Sequence, residues 1–315
     1  MASTPAGGKR AGDPEARVLA HPDEIADPLN LYIYHPLARR LARLLRPTGI
    51  SPNAVSAFSG LTVVAATFCY VGLSPPLSVL LGFALHLSWH VIDGADGALA
   101  RLTGRASPMG ELVDGVADYV SHIFLYTVMA AILLAPWLGL WAYLVVALSG
   151  ASRIAQSSHS ESQRRTYVWR VYGIPWLKQA QASGDELFEP QGLVARISVA
   201  CARLYIGLAS ATNPHSSELD EAFVRSAGDE SEAARLRRLY LSSSRGSLVY
   251  QRLLGANPRT ILLGMSMALG SPIWFFIVEI TLLNILLALS IAQQRRCNRI
   301  VVSRLVAADP SGHGS

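Results

Sequence analysis

Asp93-Gly-Ala-Asp96-Gly-Ala-Leu-Ala-Arg101, followed after a short connector by Gly110-Glu-Leu-Val-Asp114-Gly-Val-Ala-Asp118, sets four carboxylates between two long apolar runs. Acids at the edge of a bilayer are costly and are kept for a purpose. Asp93 and Asp96 are three residues apart, and Asp114 and Asp118 four apart, so on helices each pair shares a face. Two such faces joined by a tight connector converge into one four-carboxylate cage. Hard divalent cations such as magnesium, calcium and manganese want oxygen cages of this kind. Small residues at Gly94, Ala95, Gly97, Ala98 and Ala100 let a flat ligand approach the helix backbone, and Gly110 does the same from the other side. Arg101 offers a fixed fork to an anionic oxygen. Such a composite suits a pyrophosphate carrying a planar base, with metal charge stabilising an in-line displacement. A spare carboxylate can take the proton of an incoming hydroxyl. Helix capping accounts for one or two of these acids but not for four at these spacings. The stronger competitor is an ion pathway, which makes the chain a divalent cation transporter.

The bulk composition agrees with a membrane setting. Of 315 residues, 51% are hydrophobic and only 16% are charged, and the mean hydropathy is +0.31. These values predict an all-α integral membrane protein rather than a soluble domain. The net charge of +5 does not call for nucleic acid, because the basic residues flank apolar runs as cytoplasmic anchors do. Cys69, Cys201 and Cys297 are scattered and odd in number, so neither a disulfide framework nor a zinc site follows from them. Residues 1–20 hold no apolar core, and no cleavable signal peptide is expected there.

Outward from the aspartates, the chain divides into six stretches. Residues 1–27 read as a mobile polar arm, and residues 28–50 as an interfacial amphipathic helix. There Leu37, Leu41 and Leu44 share one face and Arg39, Arg43 and Arg46 another. Ser51-Pro52-Asn53 is a helix start, with Ser51 as N-cap. Residues 51–157 then hold four transmembrane helices, the second carrying Asp93 and Asp96, the third Asp114 and Asp118, and the fourth running from Trp137 to about Ser157. Residues 158–245 form a polar cytoplasmic insert, in which 192–210 is expected to lie on the membrane surface. Residues 246–295 supply two more spans, and 296–315 a basic cytoplasmic tail. The total is about six spans of ~20 residues. The turns near residues 74, 136 and 271 carry no charge, whereas both termini, Arg101, Arg105 and the insert lie on the other side. That asymmetry puts both termini and all four aspartates at the cytoplasmic face.

Asp93-x2-Asp96-Gly97-x2-Ala100-Arg101-x8-Gly110-x3-Asp114-x3-Asp118 resembles the signature of the CDP-alcohol phosphotransferase (CDP-alcohol phosphatidyltransferase) family at all eight fixed positions of a 26-residue window. The likeness extends in outline over 28–160 and 246–295, and says nothing about the insert. It implies an enzyme of phospholipid biosynthesis that transfers a phospho-substituted group from a CDP-linked donor to an alcohol or lipid hydroxyl and releases CMP. It implies Asp93, Asp96, Asp114 and Asp118 as ligands of Mg2+ or Mn2+, expected as two ions, with Asp118 and Asp114 catalytic. It also implies that Asp96, Gly97, Ala100, Arg101 and Gly110 bind the CDP moiety.

Two donor styles occur in that family. The compact layout resembles bacterial members using CDP-diacylglycerol, for which inositol or inositol phosphate is the expected acceptor. Ser107-Pro108-Met109-Gly110-Glu111-Leu112 instead resembles members using CDP-choline or CDP-ethanolamine, with diacylglycerol or ceramide as acceptor. Richness in Ala, Arg, Leu and Gly points to a bacterial inner membrane, and a homodimer is a further expectation. Outside the signature, His86, His90 and His122 are candidates for tuning the cage. Arg153, Arg164, Arg165 and Arg170 are candidates for an acceptor phosphate, against ordinary anchoring. Glu279 and Asn284 are expected to pair between helices.

Overall fold

The computed structural model describes residue 25, residues 27–173, residue 207 and residues 216–308, and every regular element among them is a helix. The arm expected over 1–27 and the surface helix expected over 192–210 lie almost wholly outside the described residues. Two compact units are present, Met1–Met129 and Ala130–Ser315.

In the first unit, Asp27 opens a helical turn by accepting from the backbone N–H of Leu29 and Asn30 at 2.9 and 3.1 Å, the task of an N-cap. A π-helical turn, Asn30–Tyr34, leads into α1, His35–Leu45. α1 is amphipathic in a particular way. Its small residues, Ala38 and Ala42, are buried, while Leu37 and Leu44 are exposed. The alanines let α1 pack on α3 (Leu77–Leu102), where a Cβ at Gly94 would lie only 3.2 Å from the Ala38 Cβ. Leu37 and Leu44 stay outside this packing.

Ser51 caps α2, Pro52–Gly72, accepting from the Ala54 N–H at 3.2 Å, with Pro52 in the first turn. α2 packs on α3 and on α4, Pro108–Met129. Glycines set both approaches. A side chain at Gly82 would collide with the Tyr70 ring at 2.5 Å, and one at Gly60 would stand 3.5 Å from the Ala117 carbonyl oxygen. Close contact through small residues is how helices associate in lipid, where no hydrophobic drive separates one apolar face from another. Ala42, Val55, Ala98 and Leu99 form a buried cluster beneath the aspartate-bearing end of α3.

The second unit is built around α5, Trp141–Tyr172, which ends at Gly173 in the left-handed conformation. Its buried face is polar: Ser149, Arg153, Gln156, His159, Gln163 and Arg170 are all inside. α6 (Ser216–Arg225) and α7 (Glu230–Ser244) follow. Arg170 joins them to α5, pairing with Asp220 at 2.8 Å and lying 5.0 Å from the centre of the Tyr240 ring. Further helices are α8 (Leu248–Leu253), α9 (Ala256–Ala268), α10 (Ile273–Ile280) and α11 (Leu282–Ala308).

Four helical stretches among the described residues are long and apolar enough to cross a membrane: 52–72, 77–102, 113–138 and 273–305. Helices of this kind make the chain an integral membrane protein. Two of the six expected spans lack such a stretch among the described residues, for local reasons. The stretch taken as the fourth span lies mostly in α5, whose polar residues lower its hydropathy and which runs on to Tyr172 without a break at Ser157. The stretch taken as the fifth is broken at Leu254-Gly255 between α8 and α9. Arg259 satisfies the carbonyls freed by that break, donating from Nη1 to Leu254 at 2.5 Å and to Gly255 at 3.0 Å.

Candidate functional site

α3 and α4 deliver the acids together. One carboxylate oxygen each from Asp93, Asp96 and Asp114 lies within 4.8 Å of the other two. Asp93 and Asp96 come from one face of α3, and Asp114 from the first turns of α4, as the three-residue spacing and the connector require. Asp96 is the deepest, 5% exposed, and Asp93 and Asp114 are half-buried. Ser56, one turn into α2, donates to Asp96 Oδ2 at 2.5 Å and fixes that carboxylate. The Gly97 backbone N–H donates to the other oxygen. Asp114 differs: its Oδ1 is buried and has no hydrogen-bond partner among the described residues.

Like charges this close repel by about 3–4 kcal/mol per pair at an effective dielectric of ~20. A buried carboxylate oxygen without a donor adds a further cost. A hard divalent cation answers both demands at once, since the donor set is all oxygen and all anionic. These residues therefore fit the cation that the sequence calls for.

The surrounding positions agree with a close-approaching ligand. A Cβ at Gly97 would lie 3.5 Å from Arg101 Nη1, so the glycine keeps the space beside the guanidinium open. Ala100 and Arg101 follow on the last turn of α3. Gly110 opens α4 with its N–H donated to Ser107 Oγ at 3.0 Å, and a Cβ there would press to 3.3 Å on that same oxygen. Ser107 thus caps the helix that carries Asp114.

Asp118 is not among the three converging acids. It lies one turn further along α4, where Oδ1 meets His122 Nδ1 at 2.9 Å. His122 in turn meets His86 of α3, Nε2 to Nε2, at 3.4 Å. His90 is used differently: it stacks on Tyr34 with ring centres 4.8 Å apart and against Trp89 at 4.4 Å, tying the turn before α1 to α3. Arg153 and Arg164 belong to the second unit. Arg153 is buried on α5, and Arg164 forms a two-point pair with Glu161 at 2.8 and 2.6 Å. Glu279 and Asn284 do pair between helices. Glu279 takes Arg259 Nε at 3.2 Å and Ser149 Oγ, while Asn284 takes Gln156 at 2.9 Å and donates to Ser152 at 2.9 Å.

Ser56, Ser107 and the His86–His122 contact were not singled out from the sequence in these roles. Ser107 sits three residues before Gly110 and could have been found as a cap. Ser56 acts across helices, 40 residues from its partner, and no local pattern marks it, whereas helical spacing marked His86 without showing that it meets His122.

Comparison with known proteins follows the same stretch. Residues 49–174 match the family described as CDP-alcohol phosphatidyltransferase. The chain is 36% identical over 94 residues to the archaetidylinositol phosphate synthase of Aeropyrum pernix, covering 29% of this chain and 46% of that protein. It is 25% identical over 150 residues to ethanolaminephosphotransferase 1 of Homo sapiens, covering 35% of this chain and 37% of that one. The Pongo abelii protein of the same name is 28% identical over 113 residues, covering 31% and 28%. The chain thus spans less than half the length of each of these relatives. The converging acids, Arg101, Gly110 and Asp118 all fall inside residues 49–174, the stretch that matches the CDP-alcohol phosphatidyltransferase family.

Proposed function

We propose that this chain is a membrane enzyme that transfers a phospho-substituted group from a CDP-linked donor to an alcohol hydroxyl and releases CMP. The observation that carries the reading is the convergence of Asp93, Asp96 and Asp114 within 4.8 Å inside the matched domain. Those three carboxylates hold the divalent cation, Mg2+ or Mn2+, with Asp118 completing the cage if a second ion binds. When bound, the cation supplies the positive charge that neutralises the donor pyrophosphate and the charge developing in an in-line transfer. Ser56 holds Asp96 in place. Gly97, Ala100 and Gly110 leave the cytidine a surface of backbone, and Arg101 grips a donor phosphate by its fork. The acceptor hydroxyl oxygen bonds to the phosphorus distal to cytidine, and the bond from that phosphorus to CMP breaks. Asp118 takes the hydroxyl proton.

For the donor we favour CDP-diacylglycerol, with inositol or inositol phosphate as acceptor. The likeness to an archaetidylinositol phosphate synthase supports this choice. A second reading, a CDP-linked head group transferred to diacylglycerol or ceramide, is supported by Ser107–Leu112 and by the ethanolaminephosphotransferase relatives. The uncharged turns and basic termini support a site at the cytoplasmic face, here of a bacterial inner membrane.

The test is incubation of purified protein in nanodiscs with each donor and acceptor pair, followed by mass spectrometry of the lipids. The favoured reading expects a phosphoinositide product with CMP from CDP-diacylglycerol. The second expects a phosphoethanolamine or phosphocholine lipid. No CMP from any pair, together with divalent metal flux in liposomes, overturns the enzyme in favour of a transporter.

A further inference from the structure

We propose that the second unit binds the head group of an anionic phospholipid in a cavity between α7 and α11, outside residues 49–174. The cavity measures about 440 Å³, within the range of small-ligand sites. α7 contributes Ser242 and Ser243 to its wall, and α11 contributes Gln293, Arg296, Ile300 and Arg304. Among the described residues no acid lines it. α7 carries no acid after Glu232, and α11 carries none at all. On α6, which also packs on α11, Asp220 pairs with Arg170 at 2.8 Å and Glu221 meets Arg225 at 3.7 Å. Two guanidinium forks without a carboxylate beside them favour an anion with several oxygens, and phosphate fits such forks well. The Ser242 and Ser243 hydroxyls donate back to the Leu239 carbonyl at 2.9 and 3.0 Å. Their oxygens still accept, so a hydroxyl on the head group complements that wall.

Helical register favours a lipid over a soluble phosphate. The steps from Leu282 to Ile285, Leu289 and Gln293 are three or four residues, and the same steps lead on through Arg296 and Ile300 to Arg304. An apolar stripe and the cavity wall therefore share one face of α11. Leu282, Ile285 and Leu289 are 51, 57 and 48% exposed. The stretch 273–305 is apolar enough to cross a membrane. A crossing that begins at Ile273 uses about 20 residues, so it ends near Gln293. The leucine and isoleucine stripe then lies at acyl-chain depth and the cavity at head-group depth, where basic pockets take lipid head groups. An acyl chain along the stripe carries its phosphate to Arg296. Arg304 stands about 12 Å further along the axis and closes the site from the water side. A soluble phosphate gains nothing from the stripe.

The test uses the purified full chain, stripped of lipid in neutral detergent and titrated with phosphatidylglycerol or phosphatidylcholine, with bound lipid counted by native mass spectrometry. Phosphatidylglycerol should bind the wild type more tightly than phosphatidylcholine. Arg296→Gln combined with Arg304→Gln should raise the phosphatidylglycerol dissociation constant about tenfold or more. Arg295→Gln combined with Arg299→Gln removes the same charge from exposed positions off the stripe. That pair should change the constant by no more than about twofold at ~0.15 M salt, where exposed charges are screened. Ile300→Trp fills the cavity and keeps every charge, and it should also weaken binding. It decides the matter if the Arg296 and Arg304 variant does not fold. Equal weakening by both arginine pairs overturns the site, as does unchanged binding in Ile300→Trp. Displacement of the lipid by equal concentrations of inorganic phosphate or glycerol 3-phosphate overturns the lipid assignment, and failure of both to displace it supports that assignment. Binding is read without turnover, so the outcome is independent of whether the chain releases CMP.

Discussion

Both units bury acid side chains among apolar helices, and they settle the cost in opposite ways. In the second unit Glu279 is fully matched. Arg259 and Ser149 donate to its carboxylate, and Gln156 donates to its backbone carbonyl at 3.0 Å and accepts from Arg259 at 2.8 Å. In the first unit Asp93, Asp96 and Asp114 crowd one another, and one oxygen of Asp114 has no donor. A matched buried charge locks helices together. An unmatched cluster stores repulsion that a bound cation can release. The contrast separates a device of the fold from a device of function, although both are acids set among apolar helices.

The largest effect on folding should come from breaking the matched network. Glu279→Gln leaves the Arg259 guanidinium buried without its counter-charge, and it should lower stability by about 3–5 kcal/mol in thermal unfolding. Asp114→Asn should do the reverse in cation-free protein, unfolding at an equal or higher temperature than wild type because a repulsive partner is gone. Equal destabilisation by both substitutions would erase the distinction drawn above.

Cation addition sharpens the same contrast. Mg2+ or Mn2+ at ~100 times its dissociation constant should stabilise the wild type by about 2.7 kcal/mol. Asp114→Asn should lose most of that shift, and Glu279→Gln should keep it. Thermal unfolding with and without the cation measures both.

How much of this was legible in the sequence depends on range. Asp93, Asp96 and Asp114 were readable because three-residue spacing fixes a face and the connector forces two helices together. Ser51 and Pro52 were readable as a cap for the same local reason, and Leu37 and Leu44 as one face of α1, which the structure leaves exposed. What α1 packs with was missed: Ala38 and Ala42 make the contact, and small residues carry no hydropathy signal. Arg252 and Arg259 blurred the stretch after 246 without revealing the break at Gly255, since that break is tolerated only because Arg259 folds back onto the freed carbonyls. Ser56 was invisible because its partner is 40 residues away.

Ser56→Ala therefore tests a purely tertiary element. It removes a donor to an ionised group, worth about 1.5–3 kcal/mol. The expected readout is roughly tenfold slower CMP release, with an unfolding temperature lowered by the lost donor.

The smallest effect should come from a matched acid nearer to water. Burial pushes the Glu161 carboxyl up, but Arg164 and Arg165 outweigh it and hold the group well below the usual range. A carboxyl lowered in the folded state stabilises above its unfolded value of ~4.3, and the contribution is lost as pH falls below that. Partial exposure keeps it under about 1 kcal/mol. Glu161→Gln should flatten the acid limb of stability below pH ~4.3 and change little at pH 7.

The central claim is that the three crowded acids exist to hold a cation for transfer from a CDP-linked donor. It is tested most directly by metal-dependent CMP release from wild type, Asp96→Asn and Asp114→Asn, each confirmed as folded. Release should require Mg2+ or Mn2+ in the wild type and fall on the order of 10³-fold in both variants. Full release by both variants would contradict the account.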